Sequence, residues 1–460
     1  MRKKKALLGV ELAGGLEEII TPWAGATLLI ELGRKCGAME TAERVLPQKK
    51  SSRGLTHGQM VESLVLLSAL GGECIEDMER LRQDQGLAVV LGYAPPAPET
   101  ARQWLDKFHD EEVLADKPLQ GSFLPSESAP LVGLKEVDRR VIWAYGQATS
   151  TGREVTLDVD AHIVETSKAE ASYCYEGYKA FQPLVVGWAE TGLILAEEFR
   201  DGNVPAGKGI KRMVDEAYET LPQGEWEVRV RSDSAGYEGD NLDHWEQRGW
   251  KFAVSADMSP SLREEIEGLP EVEWKPWKEE KGGMIREWAE VPYVPGRVYE
   301  KKDQKPYRYV AIRVRRQQGE LFGDGTKARH YAVVSNWWER DGKDLLEWHR
   351  GKAGTIEHIH HILTNELAAG VYPSGKHGAN AAWLRLQVLT HNLLQLLKAV
   401  ALPEEYATAR PKRLRFAVFT HFGRVISHAS QRLLRTTGEA WQALIGPGHR
   451  RIGALLWNTS

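Results

Sequence analysis

Glu154-Val-Thr-Leu-Asp-Val-Asp160 alternates with the period of a strand, placing Leu157 and Val159 on one face and Asp158 and Asp160 on the other. Two like charges side by side on a mid-domain strand cost stability unless a cation sits between them and a further ligand. An edge strand with a solvated face is the competing account. The elements that follow predict helices on both faces of the sheet, which favours the metal reading.

Working outward, Ala180–Trp188 and Leu193–Phe199 read as two more strands separated by turn residues, making a meander with the first. A helical pattern over Gly207–Leu221, a strand Glu227–Asp233, a helix near Asp240–Gly249 and a strand Lys251–Ser255 follow. Three strands and then strand-helix alternation predict a mixed α/β sheet. Asp233 falls where its strand passes into a turn, at the carboxyl edge where open α/β sheets bind ligands. A local Asx turn would explain it equally well.

A third carboxylate must come from elsewhere. Glu357 lies in Trp348-His-Arg-Gly-Lys-Ala-Gly-Thr-Ile-Glu-His-Ile-His-His361, opening a helix beside Arg350 and Lys352. A lone helical Glu is ordinarily a solvated residue. Taken together, Asp160, Asp233 and Glu357 form an all-oxygen set suited to Mg²⁺, with Mn²⁺ as a substitute. Two such ions about 4 Å apart would activate water or a 3′-hydroxyl for in-line displacement at phosphorus.

The chain of 460 residues has length for roughly three domains, or one carrying a large insertion. Hydrophobic residues are 42% and charged residues 27%, which excludes a mainly disordered or fibrous chain. The net charge of −4 conceals an asymmetry. From Arg410 to Arg451 there are nine Lys and Arg against the single acid Glu439, with Phe416, Phe419 and Phe422 interleaved. That pattern fits contact with a phosphate backbone.

Cys36, Cys74 and Cys174 are odd in number and far apart, without the Cys-x-x-Cys pairs of zinc or thiol-exchange sites, which predicts a reducing, cytoplasmic setting. Glu11, Glu17 and Glu18 interrupt the N-terminal apolar run too early for a secretory signal, and no apolar stretch reaches membrane-spanning length.

Thr21–His109 is helical in pattern, and Pro98–Phe108 forms a short helix with Arg102, Gln103 and Lys107 outside and Trp104, Leu105 and Phe108 inside. It is either the reading helix of a helix-turn-helix unit or an ordinary amphipathic helix. Pro118–Pro130 reads as a linker. Ser259–Trp338 breaks the α/β pattern with short β segments, and helical periodicity returns from Asp344.

Several of these segments together resemble a known family. Leu157-Asp-Val-Asp-Ala, Tyr178–Pro183, Phe199-Arg-Asp-Gly-Asn203, Arg231-Ser-Asp-Ser-Ala-Gly-Tyr237 and Gly378-Ala-Asn-Ala-Ala-Trp-Leu384 resemble the DDE transposases of bacterial insertion sequences, in particular the thirteen-eighty group of the type-4-like superfamily. The resemblance spans about Val155–Leu402. It implies an α/β ribonuclease-H-like catalytic core interrupted by a β-rich insertion, with Asp160, Asp233 and Glu357 as the metal-holding triad. Along the chain this gives an all-α DNA-binding or dimerisation domain (1–130), core halves at 150–258 and 339–402, the insertion at 259–338 and a basic helical segment at 403–460. The separations, 73 residues from Asp160 to Asp233 and 124 from Asp233 to Glu357, leave room for the insertion.

The sequence departs from relatives at His162, where Asp-x-Thr is usual, at Trp348 near the customary Tyr, and at Thr364, where Lys is expected. Asp158 stands as an alternative first ligand. The resemblance implies double-stranded DNA as partner, both transposon ends and target, a homodimer to hold two ends, and no membrane or small-molecule substrate. Candidate DNA contacts are Arg102, Lys107, Arg315, Arg316, Arg350, Lys352, His361, Lys376, Arg413, Arg415 and Arg424. His349, His358, His360 and His361 lack the His-Glu-x-x-His order of a zinc hydrolase and read as contacts to DNA or solvent. Trp337 and Trp338 are either core or a stack for a flipped base. The alternatives are a catalytically silent DNA-binding repressor and a metal-dependent nuclease without strand transfer.

Overall fold

Strand β2 (Glu154–Ala161) runs through the middle of a mixed sheet, antiparallel to β5 (Leu184–Trp188) and parallel to β7 (Glu227–Ser232). β6 (Leu193–Glu198) adds antiparallel to β5, and β8 (Lys251–Ser255) adds parallel to β7. The computed structural model describes residues 14–15, 17–49, 53–118, 120–280, 283–296, 306–316, 322–323, 325–428 and 431–457. The meander and the alternation that follows lie where the periodicity predicts them. One strand is shorter than expected: Pro183, with no N–H to give a ladder, splits Ala180–Trp188, and β4 (Ala180–Phe181) pairs instead with β3 (Val164–Glu165).

Alternation along β2 assigns the two faces. Leu157 and Val159 are fully buried and join Val186 in a core with Met213 and Val214 of α6 (Ile210–Thr220) and Leu242 and Trp245 of α7 (Gly239–Gln247). The opposite face, which carries Asp158 and Asp160, is covered by α10 (Lys352–Glu366) and α11 (His377–Val400). Gly187 of β5 permits this approach: a Cβ there would lie 2.9 Å from Ile359 Cδ1 of α10.

The strands of residues 259–338 extend the same sheet. After α8 (Pro260–Glu267), β9 (Lys275–Glu280), β10 (Met284–Val291), β11 (Arg308–Arg316) and β12 (Ala328–Ser335) run antiparallel, and β12 pairs with β8. One nine-stranded sheet results, in the order β6-β5-β2-β7-β8-β12-β11-β10-β9. Trp277 and Trp288 are buried against Val310, Ile312 and Leu345, and Trp274 joins the main core, so these three tryptophans pack the sheet.

The N-terminal helices do not stand alone either. Leu28 and Leu32 of α1 (Thr27–Lys35), Ala42 of α2 (Ala38–Val45), Leu64 and Leu67 of α3 (His57–Ala69) and Leu134 of α5 (Ala129–Ala148) share one core with Trp383 and Leu386 of α11 and Ile452 of α12 (Gly446–Ala454). Trp104, Leu105 and Phe108 are buried as expected, anchoring α4 (Pro98–Leu105).

The C-terminal segment departs from the helical expectation. β13 (Gly423–His428) and β14 (Gln431–Thr436) form a hairpin, and β13 pairs with β1 (Ile20–Thr21) near the other end of the chain. Val425 and Ile426 are β-branched, and the partner that completes the ladder is far away in sequence. Among the described residues no helix is long and apolar enough to cross a membrane.

Candidate active site

The parallel register places Asp158 opposite Arg231 and Val159 opposite Ser232, so Asp160 and Asp233 come at the carboxyl ends of neighbouring strands. The two aspartates of β2 have different surroundings. Asp158 is buried and accepts hydrogen bonds from Arg231 Nε at 2.6 Å and Nη2 at 2.8 Å, with a third from Thr355 Oγ1. Arg231 Nη1 also donates to the carbonyl of Trp348, at the end of α9 (Gly342–Arg350), and its guanidinium lies 5.2 Å from the Trp348 ring centroid. A Cβ at Gly351 would fall 2.6 Å from Arg231 Nη1, so a larger residue between α9 and α10 would push the guanidinium from its bonds. With its oxygens committed to Arg231 and Thr355, Asp158 is a structural anchor in this structure.

Asp160 faces α10. Lys352 Nζ lies 3.2 Å from Oδ1, and His360 Nε2 lies 3.5 Å from Oδ2. At that distance the imidazole is an electrostatic neighbour more than a full hydrogen-bond donor, and Nε2 has no other partner among the described residues. Burial pushes the Asp160 carboxyl up, but His360 and the Lys352 ammonium outweigh it, and the net direction is down. His162, which stands where relatives have threonine, stacks on His360 with ring centroids 5.0 Å apart.

Asp233 caps the short turn Ser234–Gly236, accepting from Ala235 N at 3.1 Å. The Asx turn is therefore real, and the carboxylate still belongs to the site. Burial raises its pKa and nearby Asp160 raises it further, while Lys352 works against both. His349, half-buried next to β7, has its Nε2 3.1 Å from the Ser232 carbonyl. Burial drops its pKa to about 4, so it is neutral and donates through Nε2.

Glu357 lies on the exposed side of α10 and makes no hydrogen bond or ion pair among the described residues. Correspondingly, no group of three or more His, Cys, Asp or Glu among the described residues is close enough to hold a metal ion. Two of the three expected carboxylates are brought together, and the third is on the helix that covers them.

The expected DNA contacts are dispersed. Arg102 is paired with Glu76 and Glu99, Arg315 with Glu287 at 2.8 Å, and Lys376 with Asp106 at 3.0 Å. Arg316 lies over the Phe322 ring and Arg350 over Trp277. Lys107 and Arg413 are exposed, His361 is 3.9 Å from Glu366, and Arg424 is 3.7 Å from Glu18. Lys352 faces inward to Asp160. Arg415 donates to the carbonyls of Ser68, Ala69 and Glu366, tying the C-terminal segment to α3 and α10, and burial lowers its pKa. A basic run in sequence does not distinguish an arginine that bonds backbone from one that meets solvent.

Sequence reasoning missed Arg231 and Thr355 as site residues, and it read His360, which lies beside Asp160, as a contact to DNA or solvent. The signal for Arg231 was the alternation of β7, which puts its side chain on the same sheet face as Asp158 once the parallel register is known.

The family profile described as transposase DDE domain group 1 matches residues 10–452. Among curated proteins none matches the chain. Among solved structures, the piggyBac transposase synaptic complex with hairpin DNA is 10% identical, with a TM-score of 0.40 over 80% of this chain and 72% of that one.

Proposed function

The chain belongs to the transposase DDE domain group 1 family, and from that membership we propose that it is a DNA transposase of a bacterial insertion sequence, acting in the cytoplasm. It binds the terminal inverted repeats of its element as a homodimer, cleaves phosphodiester bonds with two divalent ions and transfers the freed 3′-hydroxyl to target DNA. The observation that carries this reading is the placement of Asp160 and Asp233 side by side at the carboxyl ends of the neighbouring strands β2 and β7.

A ribonuclease-H-like core is supported by the order β6-β5-β2-β7-β8, an antiparallel meander followed by two parallel strands. In this reading residues 150–258 and 339–402 make the core, 259–338 the insertion that widens its sheet, and 1–130 with 403–460 the flanking DNA-binding parts.

The donor chemistry fits Mg²⁺. Asp160 and Asp233 offer hard oxygens, and the charged form of Asp233, which burial and Asp160 disfavour, is one that a cation would stabilise. Glu357, on the helix that carries Lys352 and His360, supplies the third carboxylate. Mg²⁺, or Mn²⁺ in its place, provides activation of a water or 3′-hydroxyl and stabilisation of the leaving oxygen. Lys352 and His360 keep Asp160 ionised, and the Arg231–Asp158–Thr355 contacts hold α10 in register with β2. Lys107, Arg316, Arg350, His361, Lys376, Arg413 and Arg424, all exposed, are available to phosphates.

One observation favours a second reading, a DNA-binding repressor without strand transfer: Lys352 rests on Asp160 while Glu357 has no contact with the pair. A labelled duplex carrying the inverted repeat, incubated with a supercoiled target plasmid and Mg²⁺ or Mn²⁺, separates the readings. Joined product supports the transposase, nicking without joining a nuclease, and tight specific binding without nicking the repressor.

A further inference from the structure

On the far side of α10, a cavity of about 340 Å³ opens between α10, α11, the β5–β6 turn and residues 407–409. Its polar lining includes Lys398, Gln395, His391, His358 and Thr408, with Ile359 and Ile362 forming apolar wall. Lys398 Nζ lies 3.3 Å from the carbonyl of Ala409 and forms no ion pair among the described residues. Burial pulls its pKa down to about 8, and no carboxylate opposes that fall. The one acid on the lining, Asp158, is already saturated by Arg231 and Thr355, and nearby Glu366 is paired with Arg410. A half-buried ammonium in a cavity with no counter-charge is a site in want of an anion.

We propose that this cavity binds a phosphate group, free or as a nucleoside monophosphate, held by Lys398 Nζ and the Thr408 hydroxyl, while the Gln395 amide stays bonded to the Gly192 carbonyl and His391. A monoester fits the lining: polar donors are there for the phosphate, and Ile359 and Ile362 offer apolar surface to an organic part. Thr355 is both a wall of the cavity and a donor to Asp158, so the ligand sits one side chain away from the strand that carries Asp160. The inference does not depend on the transposase reading, because the binding is measured on the full chain without DNA or metal.

Calorimetric titration of the full chain with inorganic phosphate and with deoxyadenosine monophosphate, at constant ionic strength against a chloride control, tests it. Saturable binding of either ligand, weakened at least about ten-fold in Lys398→Met and unchanged in Lys343→Met on the exposed face of α9, is the expected result. Binding of phosphate alone identifies a free-anion site, and binding of the nucleotide alone identifies a monoester site. No saturable heat above the chloride control, or equal affinity in Lys398→Met, overturns the proposal. Should Lys398→Met fail to fold, amine acylation of the wild-type chain read by mass spectrometry replaces it: phosphate must protect Lys398, and absence of protection overturns the site.

Discussion

Arg231 meets Asp158 across the parallel pair β2 and β7 through two hydrogen bonds of 2.6 and 2.8 Å, both groups buried. The same guanidinium bonds the end of α9, and the same carboxylate accepts from Thr355 on α10. Two strands and two helices are thereby locked in one register. Asp160 and Asp233, two residues further along each strand, inherit their adjacency from it.

Removing one partner leaves the other charged and buried. Arg231→Met is expected to cost about 3–5 kcal/mol in urea unfolding, whereas Asp158→Leu combined with Arg231→Met recovers most of the loss. Equal loss in the single and double variants would show that the pair does not act as a unit.

Asp160 and Asp233 respond oppositely to neutralisation in the metal-free protein. The folded pKa of Asp160 is lowered, so its charge adds stability above its unfolded pKa that is lost as pH falls through the folded value. That of Asp233 is raised, so its charge costs stability at neutral pH and protonation relieves the cost. At pH 7 Asp160→Asn should lower the unfolding free energy and Asp233→Asn, which keeps the turn cap, should raise it. Shifts of the same sign would contradict the assigned surroundings.

Burial pulls the imidazoles of His349, His377 and His391 each down to a pKa of about 4, below the ordinary histidine value of about 6.5. A base with a depressed folded pKa is stabilising above its unfolded value, and that contribution is lost as pH falls toward the folded one. Unfolding between pH 6.5 and 4 should therefore take up as many as about three protons from these groups. His391→Gln should flatten the pH dependence of urea unfolding in that window by about one proton; an unchanged slope would mean that His391 already titrates normally.

Gly187 sets how closely α10 lies on the sheet. Gly187→Ala puts a methyl 2.9 Å from Ile359 Cδ1 and should destabilise by about 1–3 kcal/mol, with Gly187→Ala/Ile359→Val recovering part of it. A neutral single variant would show that the helix has room to move.

The sequence made β2 and β7 legible because alternation and strand ends are local properties, and those strands place Asp160 and Asp233. Pairing partners are not local. Nothing within Ser259–Trp338 announces that β12 will add to β8, and nothing within Gly423–Thr436 reveals that Ile20–Thr21 completes the hairpin sheet. Charge was legible without its destination: Lys352 read as a DNA contact and lies on Asp160, and Arg415 read the same way and bonds three carbonyls. Glu357 was found by resemblance to a family, and its exposed position on α10 could not be read from spacing.

If Asp160 and Asp233 together hold the catalytic metal, cleavage of an end-labelled duplex spanning the inverted repeat shows it, comparing the wild-type chain with Asp233→Asn over a range of Mg²⁺ or Mn²⁺. Nicking at the element boundary should depend on the metal and fall by at least about 10²-fold in the variant while duplex binding persists. Equal nicking by both proteins, or metal-independent nicking, would contradict it.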